Sequence, residues 1–224
     1  MKRFLLLFLF PLLAQGAITR TQAVSAAANT VAITSTAAND VIVVWAYFAG
    51  TATIPSLPAG FTSLVGTAGT AQAARLGYKV SSGGDTSSGV WTNATHVVCL
   101  VYSGCKTSGP FGTTPTIGAG NSASIPYPAG TLTVTDGTSV WLGFAGASSA
   151  TAGMNGTPTG TAPNFTNRAS QATRINGCDT AATASNLSTQ TLTVTTSGRI
   201  CATSVELLMQ PTTPAAQGQF LQFF

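Results

Sequence analysis

The chain has 224 residues, which is enough for one large domain with a sizeable core or for two small domains. Only 6% of its residues are charged, against roughly 25% in a typical soluble protein, and the net charge is +4. The basic residues beyond the N-terminus stand singly, which argues against a nucleic-acid-binding surface; they are Arg20, Arg75, Lys79, Lys106, Arg168, Arg174 and Arg199.

The first residues, MKRFLLLFLFPLLAQG (1–16), have the layout of a secretory signal. A Lys-Arg pair precedes an apolar run from Phe4 to Ala14, and the small residues near its end suit cleavage before Ala17. The run is too short to cross a bilayer, which takes about 20 residues, so we expect no transmembrane span. We interpret the segment as a signal-like leader that is cleaved, or as an apolar anchor that is retained.

The rest of the sequence predicts an all-β protein. Runs rich in Val, Thr, Ile and aromatic residues recur between Gly, Pro, Asn and Ser, and no window after the leader shows a helical period. The run VIVVWAYF (41–48) is apolar on both faces, which predicts a central strand covered by the opposite sheet and by a loop or a neighbouring subunit. The predicted strands are 18–24, 30–35, 41–48, 61–66, 73–80, 96–102, 131–135, 139–146, 163–169, 190–196 and 200–209.

Two stretches of the chain are copies of each other. DVIVVWAYFAG (40–50) aligns without a gap with DGTSVWLGFAG (136–146), which pairs Trp45 with Trp141 and Gly50 with Gly146. The similarity extends on both sides of these stretches. The further pairs are TVAIT (30–34) with TLTVT (131–135), GFTSL (60–64) with NFTNR (164–168), and the strand of Cys99 with that of Cys201.

The copies predict two related halves, about 25–105 and 123–209, joined by the Gly/Pro/Ser/Thr-rich segment 107–123. A half with about five strands leaves edges and one face unprotected, so the two halves should close one core against each other. We therefore predict a jelly-roll-like antiparallel β-sandwich, a single domain over 17–209.

The stretch GVWTNATHVVCLVYSGC (89–105) holds the only histidine and two cysteines, and so resembles an active site. As a strand, however, it places the even-numbered residues from His96 to Tyr102 on one face and Val97, Cys99 and Val101 on the other. That pattern leaves no room for a cluster of catalytic groups. We therefore predict a strand with a capping or partly buried His96 at its entrance.

The acidic residues are too dispersed to predict a catalytic or metal site. A glycosidase needs two facing carboxylates, and calcium needs several converging oxygens. Asp40 and Asp136 are repeat mates at strand starts, where Asp commonly holds a turn. Asp85 and Asp179 fall in predicted loops, and Glu206 stands alone. We therefore expect no enzyme, with no catalytic residue, no cofactor and no metal.

The four cysteines, Cys99, Cys105, Cys178 and Cys201, allow three pairings and fit no zinc motif. One interpretation is one or two disulfides formed after export, with Cys99 and Cys201 as partners if their strands lie side by side. The other is buried thiols in a particle assembled in a reducing cytosol.

Two further groups of side chains are candidates for binding. Exposed Trp91 and Tyr47 would be able to stack on a sugar, whereas Trp45 and Trp141 recur with the fold and are expected in the core. The C-terminal segment 210–224 is a proline-bearing linker followed by an uncharged apolar tail. Its predicted assembly contacts are Phe220, Leu221, Phe223 and Phe224.

Seven segments between Ala17 and Met209 occur in a recognisable order. They are AITRTQAVS (17–25), DVIVVWAYFAG (40–50), PSLPAGFTSL (55–64), ARLGYKV (74–80), VYSG (101–104), FTNRAS (165–170) and SVELL (204–208). In these segments the chain resembles a widespread family of β-sandwich proteins encoded by tailed bacteriophages and by bacterial prophage or secreted-protein genes. The resemblance implies a non-enzymatic virion or surface module, with no catalytic residue.

The leading hypothesis is therefore a structural virion protein: a capsid decoration, head-fibre or tail-associated subunit. Its partners would be other virion proteins or copies of itself, or a glycan of the host surface. It would be located in the virion, or outside the cell if the leader is cleaved. The alternative is a secreted bacterial carbohydrate-binding or adhesion module, followed by a secreted hydrolase.

Overall fold

The computed structural model describes residues 17–211 except 51, 70, 113, 114, 150, 151 and 172. The leader 1–16 and the predicted tail contacts therefore lie outside the described residues. None of the described residues belongs to a helix that could cross a membrane. The strands are β1 Thr19–Ala26, β2 Ala38–Ala49, β3 Thr62–Gly69, β4 Gln72–Ser82, β5 His96–Ser103, β6 Ile117–Tyr127, β7 Val140–Ala147, β8 Thr166–Gln171, β9 Ile175–Asp179 and β10 Gln190–Leu207.

The strands form two antiparallel sheets of the same topology. The first sheet has the order β1-β5-β2-β4-β3 and the second has the order β6-β10-β7-β9-β8. The two orders are identical when β6 to β10 are numbered as second copies of β1 to β5. Each half of the chain makes one whole sheet, and the chain passes between the sheets once, after Ser103. The predicted antiparallel β-sandwich of two related halves is confirmed.

The two sheets face each other in a symmetric way. The facing strands are β1 with β8, β5 with β9, β2 with β7, β4 with β10, and β3 with β6. This scheme is unchanged when the two halves are exchanged, and β2 and β7 lie at its centre. Side chains of both sheets, among them Trp45, Tyr47, Leu142 and Phe144, form the core between them.

The outer face of each sheet is also covered. Ile42, Val44 and Ala46 of β2 point away from the central core and pack under Trp91 and Ile33 of the connecting segments. The outer face of the second sheet is covered by connecting segments in the same way. The prediction that 41–48 is a central strand covered by the opposite sheet and by a loop is confirmed.

Several predicted element boundaries are wrong. Residues 30–35 and 131–135 are not strands, although Ile33 and Leu132 pack on the outer faces. The predicted segment 107–123 contains the start of β6, because Gly- and Ser-rich residues there are held by backbone pairing with β10. The second half therefore begins at Ile117. β9 was not predicted, and the last two predicted strands are the single strand β10.

The repeat is present, but the gapless alignment does not match equivalent faces. Trp45 lies in the core between the sheets, whereas Trp141 lies under the outer face of the second sheet. The side-chain period of a strand is two, so an odd shift in register reverses the faces. Phe61 and Phe165 do correspond, since each precedes the third strand of its half and packs on that half's outer face.

Candidate functional site

One buried carboxylate joins the two sheets at the edge where β1 faces β8. The Asp179 side chain is only 3% exposed. It accepts a hydrogen bond from Arg20 Nη1 at 2.7 Å and one from Arg168 Nε at 2.5 Å. The Tyr102 hydroxyl donates a third at 2.8 Å. Burial and the charge of Asp179 raise the pKa of Tyr102 well above its ordinary value, so its hydroxyl remains a donor.

Both arginines reach this carboxylate from irregular positions on edge strands. The pairing of β1 with β5 shifts between Arg20 and Gln22, and the pairing of β8 with β9 shifts at Arg168. Such bulges bend an edge strand and redirect a side chain. The local backbone of each strand therefore turns a guanidinium toward Asp179, the last residue of β9.

A cavity of about 250 Å³ opens beside this cluster. The Arg20 and Arg168 side chains are 27% and 29% exposed and both line the cavity, so part of each side chain is reachable from solvent. We call it the Asp179 cavity. Its lining is Ile18, Thr19, Arg20, Tyr102, Val140, Arg168, Asp179, Thr180, Ala181 and Ala182.

Sequence reasoning did not find this cluster. It placed Asp179 in a loop, whereas the residue ends a strand, and it treated the arginines as scattered. Arg20 and Asp179 are 159 residues apart in the chain. The only available signal was that each arginine stands in a segment that carries the family resemblance, and that signal says nothing of a common partner.

Another buried carboxylate, that of Glu206, has no cation among its hydrogen-bond partners in the described part of the chain. It accepts hydrogen bonds from the Thr133 amide at 2.8 Å, the Thr133 hydroxyl at 2.6 Å and the Ser139 hydroxyl at 2.7 Å. The Val134 amide adds a weaker contact at 3.3 Å. These contacts tie the segment before β7 to β10, so this carboxylate holds a connection in place.

The remaining acids also hold the scaffold. Asp40 accepts the Ala37 amide at 2.9 Å and Asp136 accepts the Thr138 amide at 2.9 Å, which confirms the turn interpretation for this pair. Asp85 forms an ion pair with Lys79 at 2.5 Å and accepts a further hydrogen bond in its turn.

His96 begins β5 and is partly buried, as predicted. Its Nδ1 lies 2.9 Å from the Thr95 hydroxyl. Burial and the nearby charge of Arg174 lower the pKa of His96 below its ordinary value, so the imidazole is held neutral. The stretch 89–105 is a strand with its entry loop.

The predicted sugar-stacking residues are wrong. Trp91 and Tyr47 are both 0% exposed, so neither presents a ring face to a ligand. The Trp91 indole donates to the Ser88 carbonyl at 2.8 Å, and the Tyr47 hydroxyl donates to Gln72 at 3.2 Å. Trp45 and Trp141 are buried, in agreement with the prediction that they belong to the core.

All four cysteines are free and buried, so the structure does not contain the disulfides of the first interpretation. Cys99 and Cys201 do lie on equivalent strands, β5 and β10, but these belong to different sheets. Cys99 points to the outer face of its sheet and Cys201 into the core. Buried thiols, the second interpretation, describe the structure.

Across residues 17–211, apart from those not described, no three His, Cys, Asp or Glu side chains are grouped as metal ligands. No family model, curated protein or solved structure matches this chain. The Asp179 cavity is therefore assessed from its own geometry.

Proposed function

We propose that this protein is a non-enzymatic structural protein of a tailed-phage virion, a capsid decoration, head-fibre or tail-associated subunit. It contacts other virion proteins, copies of itself or the host surface. The proposal is carried by the role of the titratable side chains, which hold the scaffold together. All five acidic side chains and the only histidine have hydrogen-bond partners in the scaffold.

General acid–base catalysis needs a side chain that can reach the proton of a substrate. Asp179 is enclosed by two arginines and a tyrosine, and Glu206 is 0% exposed. Within the described residues His96 has no carboxylate partner, and its pKa is lowered by burial and by a nearby cation. These groups serve to hold two sheets and their connections together, which is the task of a structural module.

The architecture also suits a particle subunit. The central strands β2 and β7 are covered on both faces, and three apolar clusters hold the body together. The tail residues, known from sequence alone, would add a separate docking segment. Burying four large apolar side chains in a neighbour contributes roughly 1.5–3 kcal/mol each before the cost of ordering.

Particle fractionation tests the proposal. Cells that encode the chain are induced, particles are banded on a density gradient, and peptides of this chain are quantified by mass spectrometry. We expect the peptides in the particle band at a fixed ratio to the major capsid protein. Peptides found only in the particle-free medium would overturn the virion proposal.

That second result would support the alternative, a secreted bacterial carbohydrate-binding or adhesion module. The observation in its favour is the signal-like leader, residues 1–16. It would place the protein outside the cell without any particle.

The role of the tail is tested in the same assay. One variant lacks 215–224, and a length-matched variant carries Ser at Phe220, Leu221, Phe223 and Phe224. We expect both to keep the β-rich circular dichroism spectrum and to be lost from the particle band. Full incorporation of both variants would remove the tail from the assembly contacts.

A further inference from the structure

The Asp179 cavity carries more positive than negative charge. Its charged lining consists of Arg20, Arg168 and Asp179, so the sum is one positive charge. Asp179 is shielded by its three hydrogen-bond donors, while the arginines are about a quarter exposed. Because both arginines line the cavity, their surplus charge attracts an anion there.

Each guanidinium also keeps unused donors. Arg20 contacts Asp179 through Nη1 and Arg168 does so through Nε, which leaves two nitrogens on each group. Among the described residues these nitrogens have no further hydrogen-bond partner. Asp179 fixes both groups in place, so little side-chain freedom is lost when a ligand binds.

We propose that the Asp179 cavity binds the carboxylate of an acidic monosaccharide, of which a uronic acid is the simplest. The guanidinium nitrogens of Arg20 and Arg168 hold the carboxylate, and the sugar ring lies against Ala181 and Ala182 with Thr19 at the side. The source of this sugar is a glycan of the host surface, and that part of the proposal rests on the proposed host-surface contact. The binding of the carboxylate does not rest on it.

The charge and size of the cavity select this class of ligand. The surplus of one positive charge neutralises one carboxylate. A phosphate dianion would keep one of its two negative charges without a compensating cation. The planar guanidinium matches a carboxylate with parallel hydrogen bonds. A volume of about 250 Å³ is below that of a site for a drug-sized ligand, which suits a single sugar ring.

Binding is measured on the full chain by titration of amide chemical shifts. Sodium glucuronate is the probe, and glucose, inorganic phosphate and N-acetyl-aspartate are the comparison ligands. We expect shifts at Thr180, Ala181 and Ala182 with glucuronate, weakened by added salt because the attraction is electrostatic. Glucose should cause none.

Several results would overturn the proposal: no shift at these amides with glucuronate, or equally tight binding of phosphate or N-acetyl-aspartate. Equally tight binding of phosphate would make the site a general anion site. Equally tight binding of N-acetyl-aspartate would make it a contact for an acidic peptide. Particle association in the fractionation assay is independent of these results, so failure of one proposal is distinguishable from failure of the other.

Variants locate the site. Arg168→Gln and Arg20→Gln should each weaken glucuronate binding by about tenfold, the loss expected for a charged hydrogen-bonding partner. Arg199→Gln is the matched control, because Arg199 is exposed on β10 and does not line the cavity. Unchanged affinity in both cavity variants would also overturn the assignment. Should either variant fail to fold, the wild-type shift map still decides the question.

Discussion

Trp45 of β2 stacks on Phe144 of β7, with ring centroids 6.3 Å apart and ring planes inclined by 21°. These strands are the middle strands of the two sheets, so the contact lies at the centre of the sandwich. Next to it, the ring of Tyr47 lies directly over Gly146, where a Cβ would overlap the ring. The two halves are thus matched in shape at their centre.

Replacing Phe144 with Ala should lower the free energy of unfolding by roughly 3–5 kcal/mol, because the site is fully enclosed and the cavity cannot collapse. Urea denaturation measures this change. The double variant with Trp45→Ala should lose less than the sum of the two single losses, since the residues share one contact.

The matched control is Val90→Ala. Val90 is 57% exposed, so its truncation should change stability by no more than about 0.5 kcal/mol. A Phe144→Ala variant as stable as this control would contradict the central role of the ring contact.

Asp179→Asn removes the charge that Arg20 and Arg168 share. We expect a loss of about 1–3 kcal/mol in the free energy of unfolding, because two cations then face each other without a carboxylate. The loss is smaller than for a fully buried pair, since both arginine side chains are partly exposed. Asp136→Asn, in an exposed turn, is the control, and an equal effect of the two changes would argue against a bridging role of Asp179.

The four thiols should be inert in the native protein. Burial raises the pKa of Cys99 and of Cys105 to about 12, so almost no thiolate exists near neutral pH. A thiol-reactive dye should label all four cysteines in denaturant and label them only slowly without it. Fewer than four reactive thiols after denaturation without reductant would reveal a disulfide.

The same thiols predict alkaline instability. Their protons are held more tightly in the folded chain than in the unfolded chain, where the ordinary pKa is 9.0. The stabilisation is complete below pH 9.0 and is lost as the pH rises towards about 12. Burial also raises the pKa of Tyr102 and Tyr127, which acts in the same direction. Urea midpoints measured from pH 8 upward should fall, and a flat profile would contradict the burial of these groups.

His96 makes the opposite contribution at the acidic side. Its pKa is lowered from 6.5, so the unfolded chain binds the proton more readily than the folded chain. The stability contribution is present above the ordinary pKa and is lost as the pH falls below it. His96→Gln should change stability modestly at pH 7.5 and flatten the slope between pH 7 and pH 5. An assay in which this substitution abolishes a catalytic activity would overturn the non-enzyme proposal.

Strong apolar patterns were sufficient to predict the sandwich. The run 41–48 has apolar residues on both faces. Such a strand must be buried on both sides, which places it in the middle of a covered sheet. The repeat predicted the equal topology of the two halves. The gapless match misassigned faces because it is shifted by an odd number of residues. It pairs Gly50, which follows β2 with φ near 136°, with Gly146, which lies within β7 and makes room for Tyr47.

Weak patterns failed where long-range pairing decides the structure. β6 is rich in Gly, Ser and Ala and has little intrinsic strand preference, yet it pairs along much of β10. Residues 131–135 alternate between polar and apolar side chains like a strand. However, the backbone amides of Thr133 and Val134 donate hydrogen bonds to Glu206 and not to a neighbouring strand. The cluster at Asp179 depends on two bulges and on the facing of β1 with β8, which single-sequence patterns do not encode.

The pairing of facing strands is unchanged when the two halves are exchanged, and this is the symmetry of a two-fold dimer. Five strands that form one sheet, and whose inner face fits a second copy of itself, describe the subunit of an isologous dimer. Joining two such subunits end to end yields this chain, with residues 104–116 as the connection. Once fused, the copies were free to diverge at equivalent positions, so a charged cluster at one edge of the sandwich no longer needs a twin at the other.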